Sequence, residues 1–314
     1  MGLMTTAAIG PLYRAGEASL LLRGMRARRP IMRALEWLSR SNADAAHRAF
    51  EAAAPDPIHL DAGYIDDLVA KYSRVATRAD RRLPAEKAHA RAMEVLCSTH
   101  RFAARDAKFL EIACGDGRVA AAMARAGKDI TAIDISPERL SGDARQAGVK
   151  FLAMDAERLH LPPESFDVVY SFDAFEHFQR PEQVLAQIGR VLRPGGVVYG
   201  SFGPLYYSAH GAHQWHSVDA PYCHLLFAEE DLNRAATARG KIPLVRNLNR
   251  WRLRDYRAMF YRSLDVFEKI HYFEKFNVTH VDLVLAFPSI FRSRTDAFDD
   301  LIVRSIEFLL RKRG

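Results

Sequence analysis

Glu111, Gly115 and Gly117 fall within one short segment, and Asp134 and Asp155 follow at the ends of two further apolar runs. Glycines in such a turn let the backbone pass close to a ligand with no side chain between. A carboxylate ending the second run can accept hydrogen bonds from both hydroxyls of a ribose. One ending the third can address an adenine edge, itself or through the next backbone N–H. The set suits a single adenosine-containing cofactor, and the plainer alternative is a tight strand-to-helix turn. A dinucleotide site would want G-x-G-x-x-G to seat a pyrophosphate, and the sequence does not have it.

A second group lies further on. Tyr206, Tyr207 and Ser208 are followed by His210, His213, His216 and His224, beside Trp215 and Tyr222. Histidine gains and loses a proton near neutrality, so the cluster suits proton transfer. Three readings stay open: a base with substrate-binding aromatics, a metal site on His210, His213 and His216, or a buried polar network holding a lid. Taken as catalytic, the base is His213 first and His177 second. Tyr206, Tyr207, His210, Trp215 and His216 then contact the substrate, and no metal is assigned. His177, next to Glu176, reads equally well as structural. Cys114, inside the glycine turn, is expected to be a small buried residue and not a nucleophile.

The elements that must position these residues alternate from residue 108 onward. Strands are expected at Phe109 to Ile112, Ile130 to Ile133, Phe151 to Met154, Phe166 to Ser171 and Val197 to Ser201. Helices are expected at Val119 to Ala126, Pro137 to Ala147 and Pro181 to Leu192, with a turn at Pro194-Gly195-Gly196. Strands separated by single helices need right-handed crossovers, which builds a parallel sheet covered on both faces. The tail reads as a helix over Leu253 to Ser263 and a strand over Val266 to Phe273. An edge strand, or a short helix, is expected over Ile302 to Arg311. Residues 1–90 read as mostly helical, with a basic amphipathic stretch from Ser19 to Arg40 broken at Pro30 and further helices over Ile65 to Ala76 and Lys87 to Cys97.

Glu111-Ile112-Ala113-Cys114-Gly115-Asp116-Gly117 resembles the first motif of class I S-adenosylmethionine-dependent methyltransferases, and Ile133-Asp134-Ile135-Ser136 resembles their second. Met154-Asp155-Ala156-Glu157, Phe172-Asp173-Ala174-Phe175-Glu176-His177-Phe178 and Leu192-Arg193-Pro194-Gly195-Gly196 are similar to later blocks. The likeness runs unbroken over about residues 105–205. It implies a doubly wound α/β fold, a mostly parallel seven-stranded Rossmann-like sheet, with an N-terminal helical cap and an insertion after the fifth strand. The implied division is a cap at 1–90, a cofactor core at 91–203, a substrate-side insertion at 204–250 and the rest of the sheet at 251–314.

The resemblance also implies S-adenosylmethionine as cofactor. Glu111 and the turn Ala113-Cys114-Gly115 through Gly117 would hold its methionine part, Asp134 the ribose, and Ile135 the adenine face. Asp155 and Ala156 would read the adenine amine, and Phe172 and Asp173 would line the edge facing the substrate. One departure is Ala113, where the family usually has glycine. With a side chain there, φ is expected to be negative. The implied reaction is methyl transfer to oxygen of a small molecule such as a natural product, sugar or carboxylate. A nucleic-acid methyltransferase and a non-catalytic cofactor-binding scaffold are the alternatives.

Composition bounds these readings. The chain has 314 residues, 49% hydrophobic and 26% charged, which excludes wholesale disorder, collagen and a disulfide framework. The net charge of +7 admits acidic partners. The basic residues, however, concentrate in the terminal helices, at Arg250, Arg252 and Arg254 and at Arg311-Lys312-Arg313, so no nucleic acid is expected. The N-terminal arginines leave weak membrane-surface contact open, and a homodimer is equally open. Three scattered cysteines and the lack of a spanning apolar run fit a cytoplasmic protein.

Overall fold

The computed structural model describes residues 41–72, 83–213, 217–243 and 247–314. The basic stretch from Ser19 to Arg40 lies outside them. A helix at 41–52 (α1) and α2 (Tyr64–Tyr72) precede α3 (Ala85–Thr99). The alternating part follows as β1 (Lys108–Ile112), α4 (Arg118–Arg125), β2 (Asp129–Asp134), α5 (Gly142–Gln146) and β3 (Lys150–Ala153). It continues through β4 (Phe166–Phe172), α6 (Pro181–Val191) and β5 (Leu192–Phe202). Short helices α7 (Cys223–Leu226) and α8 (Glu229–Ala238) lead to α9 (Leu253–Arg262) and β6 (Phe267–Phe276). Three more, α10 (Val281–Ala286), α11 (Pro288–Arg294) and α12 (Phe298–Ile302), precede β7 (Val303–Lys312).

The strands form one sheet in the order β3-β2-β1-β4-β5-β7-β6. The first five pair in parallel, and β7 runs antiparallel to both β5 and β6. Strand order reverses between β1 and β4, which opens a crevice beyond their carboxyl ends. The central strands read as nearly continuous apolar runs because both faces are covered: β1 buries Phe109, Leu110, Glu111 and Ile112. On one face α4 brings Val119, Ala120 and Met123 against the sheet, and its alanines let helix and sheet approach closely. On the other, α6 and α9 pack Leu185, Ile188, Tyr256 and Met259.

Several boundaries differ from the sequence reading. The helix expected from Pro137 to Ala147 is split into a 3-10 turn at Pro137–Arg139 and α5. Leu140 leaves the helical region, and Ser141 restarts it by accepting a hydrogen bond from the Ala144 N–H at 3.2 Å. The Pro194-Gly195-Gly196 turn is absorbed into β5, where a Cβ on Gly196 would stand 2.9 Å from the Asp167 carbonyl. The closing strand is not at the edge. β7 lies between β5 and β6 because Ile306, Phe308 and Leu310 bury one side of it while Leu309 buries the other. Neither a partner nor an inserted helical segment is written in a single run of apolar residues.

A separate apolar core gathers parts of the chain far apart in sequence. Phe50 of α1 and Ile65 of α2 meet Tyr222, Leu226 and Phe227 of the insertion, and Val284 and Phe291 of α10 and α11. The Arg294 guanidinium ties the pieces by donating to the carbonyls of Leu225 (2.9 Å), Pro57 (3.3 Å) and Ile58 (2.8 Å).

Candidate active site

The crevice at the strand ends is a cleft of about 780 Å³. Every residue assigned from sequence to the cofactor lines it except Gly117: Glu111 and the Ala113-Cys114-Gly115 turn from β1, Asp134 and Ile135 from β2, Asp155 and Ala156 after β3, Phe172 and Asp173 from β4. Gly117 has a packing role instead. Its φ is 71°, and an added Cβ would lie 2.5 Å from Leu140 Cδ1 and 2.9 Å from Ala144.

The turn after β1 is locked from several sides. Asp134 Oδ2 accepts from the Gly115 N–H at 2.8 Å, and Oδ1 accepts from the Ser136 N–H at 2.9 Å. Cys114 N donates to the Ile133 carbonyl and Gly117 N to the Cys114 carbonyl, each at 2.9 Å. These bonds impose a left-handed backbone on Ala113, whose φ is 55°. The negative φ expected from its side chain is thereby overturned. The hydrogen-bonded turn outweighs the roughly 1–2 kcal/mol that a Cβ costs in this region. Burial pushes the Cys114 thiol far above its ordinary range, so it stays protonated.

The donor set fits an adenosyl cofactor carrying an ammonium group. Each Asp134 oxygen has a second lone pair beyond the one used by the turn, available to a ribose hydroxyl. Ile135 is 73% exposed in the cleft wall and offers an apolar face there. Gly115 has φ of 58°, and a Cβ there would meet only an Arg139 guanidinium nitrogen, at 3.6 Å. Glu111 is buried, and burial raises its carboxyl to about 8 despite a hydrogen bond donated by Tyr170 Oη at 3.2 Å. A cation brought beside it would favour its charged form.

Two further groups in the cleft wall come from α3. Arg91 stacks its guanidinium 4.8 Å over the Phe172 ring and pairs with Asp173, and Lys87 lies nearby. Sequence reasoning missed both, because nothing in a helical run such as Ala85–Thr99 signals which residue will reach a strand end. Asp173 itself has φ of 48°, a second left-handed non-glycine residue in the cleft wall after Ala113.

The histidines divide. His177 lines the cleft, and its Nδ1 bonds to the Asn247 carbonyl at 2.8 Å. His213 stands behind it, edge-on with ring centroids 5.1 Å apart, and its Nε2 bonds to the Pro204 carbonyl at 2.9 Å. Burial lowers the pKa of both, that of His213 to about 4. Tyr206, Tyr207 and His210 do not line the cleft. Tyr206 packs edge-on against Tyr207 and His224 with Arg250 over its ring, and His210 packs against His280. Trp215 and His216 lie outside the described residues.

Comparison with known proteins bears on the strand-end half of this cleft. The family model described as "Methyltransferase domain" matches residues 110–200. That span is a methyltransferase domain. S-adenosylmethionine is the cofactor that such a domain implies. The methyltransferase core is 33% identical over 100 residues to a ubiquinone biosynthesis O-methyltransferase of Photobacterium profundum, covering 30% of this chain and 43% of that protein. It is 32% identical over 99 residues to one from Parvibaculum lavamentivorans, covering 30% and 39%. The matched span is thus about two fifths of those relatives' length. An S-adenosylmethionine-dependent methyltransferase structure from Mesorhizobium loti aligns with a TM-score of 0.41 and 21% identity, covering 73% of this chain and 98% of that one. Among the described residues, no helix is long and apolar enough to cross a membrane.

Proposed function

We propose that the protein transfers a methyl group from S-adenosylmethionine to an oxygen of a small-molecule acceptor. The observation that carries this reading is the convergence of Glu111, Asp134, Ile135 and Asp155 on one cleft within a methyltransferase domain. The relatives' names, O-methyltransferases, support oxygen as the acceptor atom. S-adenosylmethionine supplies a methyl group on a sulfonium, already a good electrophile. The chain's task is therefore alignment and proton management.

In this reading Asp134 orients the ribose, Glu111 holds the ammonium, and Arg91 keeps Phe172 and Asp173 in place at the acceptor edge. His177 takes the proton of a hydroxyl acceptor. A carbonyl can only accept, so the bond to Asn247 requires a proton on Nδ1 and leaves the Nε2 lone pair for this work. A carboxylate acceptor needs no such help. His213 orients His177 from behind, so the first choice of base moves from His213 to its neighbour. The cap at 1–90 and the insertion at 204–250 are assigned to the acceptor side, consistent with the shared core of α1, α2 and α7.

Calorimetry with S-adenosylmethionine, followed by mass spectrometry of a panel of phenols, sugars and carboxylic acids, tests the reading. Cofactor binding with a gain of one methyl on an oxygen is expected. Failure to bind the cofactor sinks the whole proposal, while binding without turnover on any acceptor favours a scaffold.

A further inference from the structure

Behind the cleft wall, Glu176, His177 and His213 each place one potential ligand atom within 4.8 Å of the other two. Glu176 is buried, with 1% of its surface exposed. One of its oxygens, Oε1, accepts from the Gly203 N–H at 3.0 Å, while Oε2 is enclosed with no hydrogen-bond partner. A buried carboxylate oxygen left in that state costs on the order of 1–3 kcal/mol or more. Native proteins keep such groups where something else satisfies them.

Each of the two imidazoles is anchored through one ring nitrogen on a backbone carbonyl. His177 Nδ1 bonds to the Asn247 carbonyl at 2.8 Å, and His213 Nε2 to the Pro204 carbonyl at 2.9 Å. Both bonded nitrogens must carry the proton, so the lone pairs sit on His177 Nε2 and His213 Nδ1. Metal-binding histidines are held in this way, the distal N–H fixed on a backbone carbonyl and the other nitrogen offered to the ion. The supports come from separate parts of the chain, the Asn247 loop and the start of the insertion.

We propose that Glu176, His177 and His213 form a site for one divalent transition-metal ion, with zinc the best match to a two-histidine, one-carboxylate donor set. Metal–nitrogen bonds of about 2.0–2.1 Å ask the three groups to draw together by roughly 1 Å, which side-chain rotation supplies. Because His177 lines the cleft, the ion stands beside it, and its remaining coordination position is open to an oxygen of the acceptor. A hydroxyl bound there loses its proton to solvent more readily, and in the loaded protein the two imidazoles act as ligands and not as bases. The sequence-level triad of His210, His213 and His216 is thus replaced by a different set sharing only His213.

Metal binding is measured independently of methyl transfer, so the two readings fail separately. The full chain, stripped with EDTA, is titrated with zinc chloride by calorimetry and with cobalt(II) by visible absorption. One ion per chain is expected, with cobalt bands of a low-coordinate nitrogen- and oxygen-ligated site. Glu176→Gln keeps the shape and removes the anion; it and His213→Ala should each weaken zinc by roughly tenfold or more. His177→Ala, at the cleft surface, gives the same loss even if the buried variants fail to fold, as judged by thermal melts. His210→Ala should bind as the unaltered chain does. The proposal is overturned by no saturable binding to the unaltered chain, by unchanged affinity in folded His177→Ala, or by loss of binding in His210→Ala.

Discussion

The sheet core and the cap core are built on opposite principles. The sheet core takes its elements largely in chain order, β1 to β2, β2 to β3 and β4 to β5 each joining neighbouring strands, and the one long return from β3 to β4 brings the two halves' strand ends to the same cleft. The cap core draws on α1 and α2, on the insertion, and on α10 to α12, three segments with most of the sheet between them. The first arrangement gathers the strand ends that line the cleft. In the proposed reading the second belongs to the acceptor side, where the chain can vary without disturbing the strand ends. Selectivity and cofactor affinity should accordingly respond to different substitutions.

The strongest test of that separation is Phe291→Ala. Phe291 is fully buried in the cap core and packs edge-on against Tyr222 at 5.0 Å. Its truncation should lower stability by about 3–5 kcal/mol in urea melts, while cofactor affinity of the folded protein stays within about twofold. A parallel collapse of cofactor affinity would merge the two regions into one unit. Next in size is Asp134→Ala, which removes the acceptor for both the Gly115 and Ser136 N–H groups. Losing a buried charged partner costs roughly 2–5 kcal/mol, so calorimetry should register about a hundredfold weaker cofactor binding. A change below about threefold would show that the turn holds without its carboxylate.

Glu111 gives a pH-dependent prediction. Its folded carboxyl is raised from 4.5 to about 8, chiefly by burial, opposed by Tyr170 and the Arg91 charge and reinforced by Asp116. Between those values the folded protein keeps a proton that the unfolded chain releases. Stability should therefore fall as pH rises from about 4.5 to 8 and level off above, with a slope of at most about 1.4 kcal/mol per pH unit from this group. Glu176, also raised to about 8 by burial, adds a slope of the same sign. Glu111→Gln should flatten part of the dependence in melts at pH 5 to 8, and an unchanged slope would remove Glu111 from the account. The smallest effect belongs to Ile135→Ala. The side chain is 73% exposed, so stability should hold while cofactor affinity drops by roughly threefold to tenfold, from loss of about 1 kcal/mol of apolar contact.

The same contrast explains what could be read from the sequence. Glu111, Gly115, Asp134 and Asp155 were legible because a strand end followed by a glycine turn is a local pattern with a local consequence. Gly117 was legible as a glycine but not in its role, since Leu140 and Ala144 that crowd it belong to another element. The left-handed Ala113 escaped because its own side chain argues against it, and only the bonds around it decide. His213 is the first choice of base by residue type, but its place behind His177 depends on a turn of the insertion toward Pro204. Tyr206 and Tyr207 look like substrate aromatics by type, and the structure spends them on packing under Arg250 and Arg252. Arg91 and the helices α10 to α12 carry no signal at all, because their partners lie across long stretches of chain.

The position of β7 between β5 and β6 has a consequence for the order in which the molecule can assemble. During synthesis the parallel half of the sheet emerges with its own partners and can condense early. α1 and α2, made before β1, must wait for α10 to α12 to complete their core, and β6 must wait for β7 to join it to β5. Until those elements arrive, the apolar faces of α1 and α2 and the edge of β5 that β7 covers stand open. The interval before the final strand docks is when the chain depends most on being shielded from other chains.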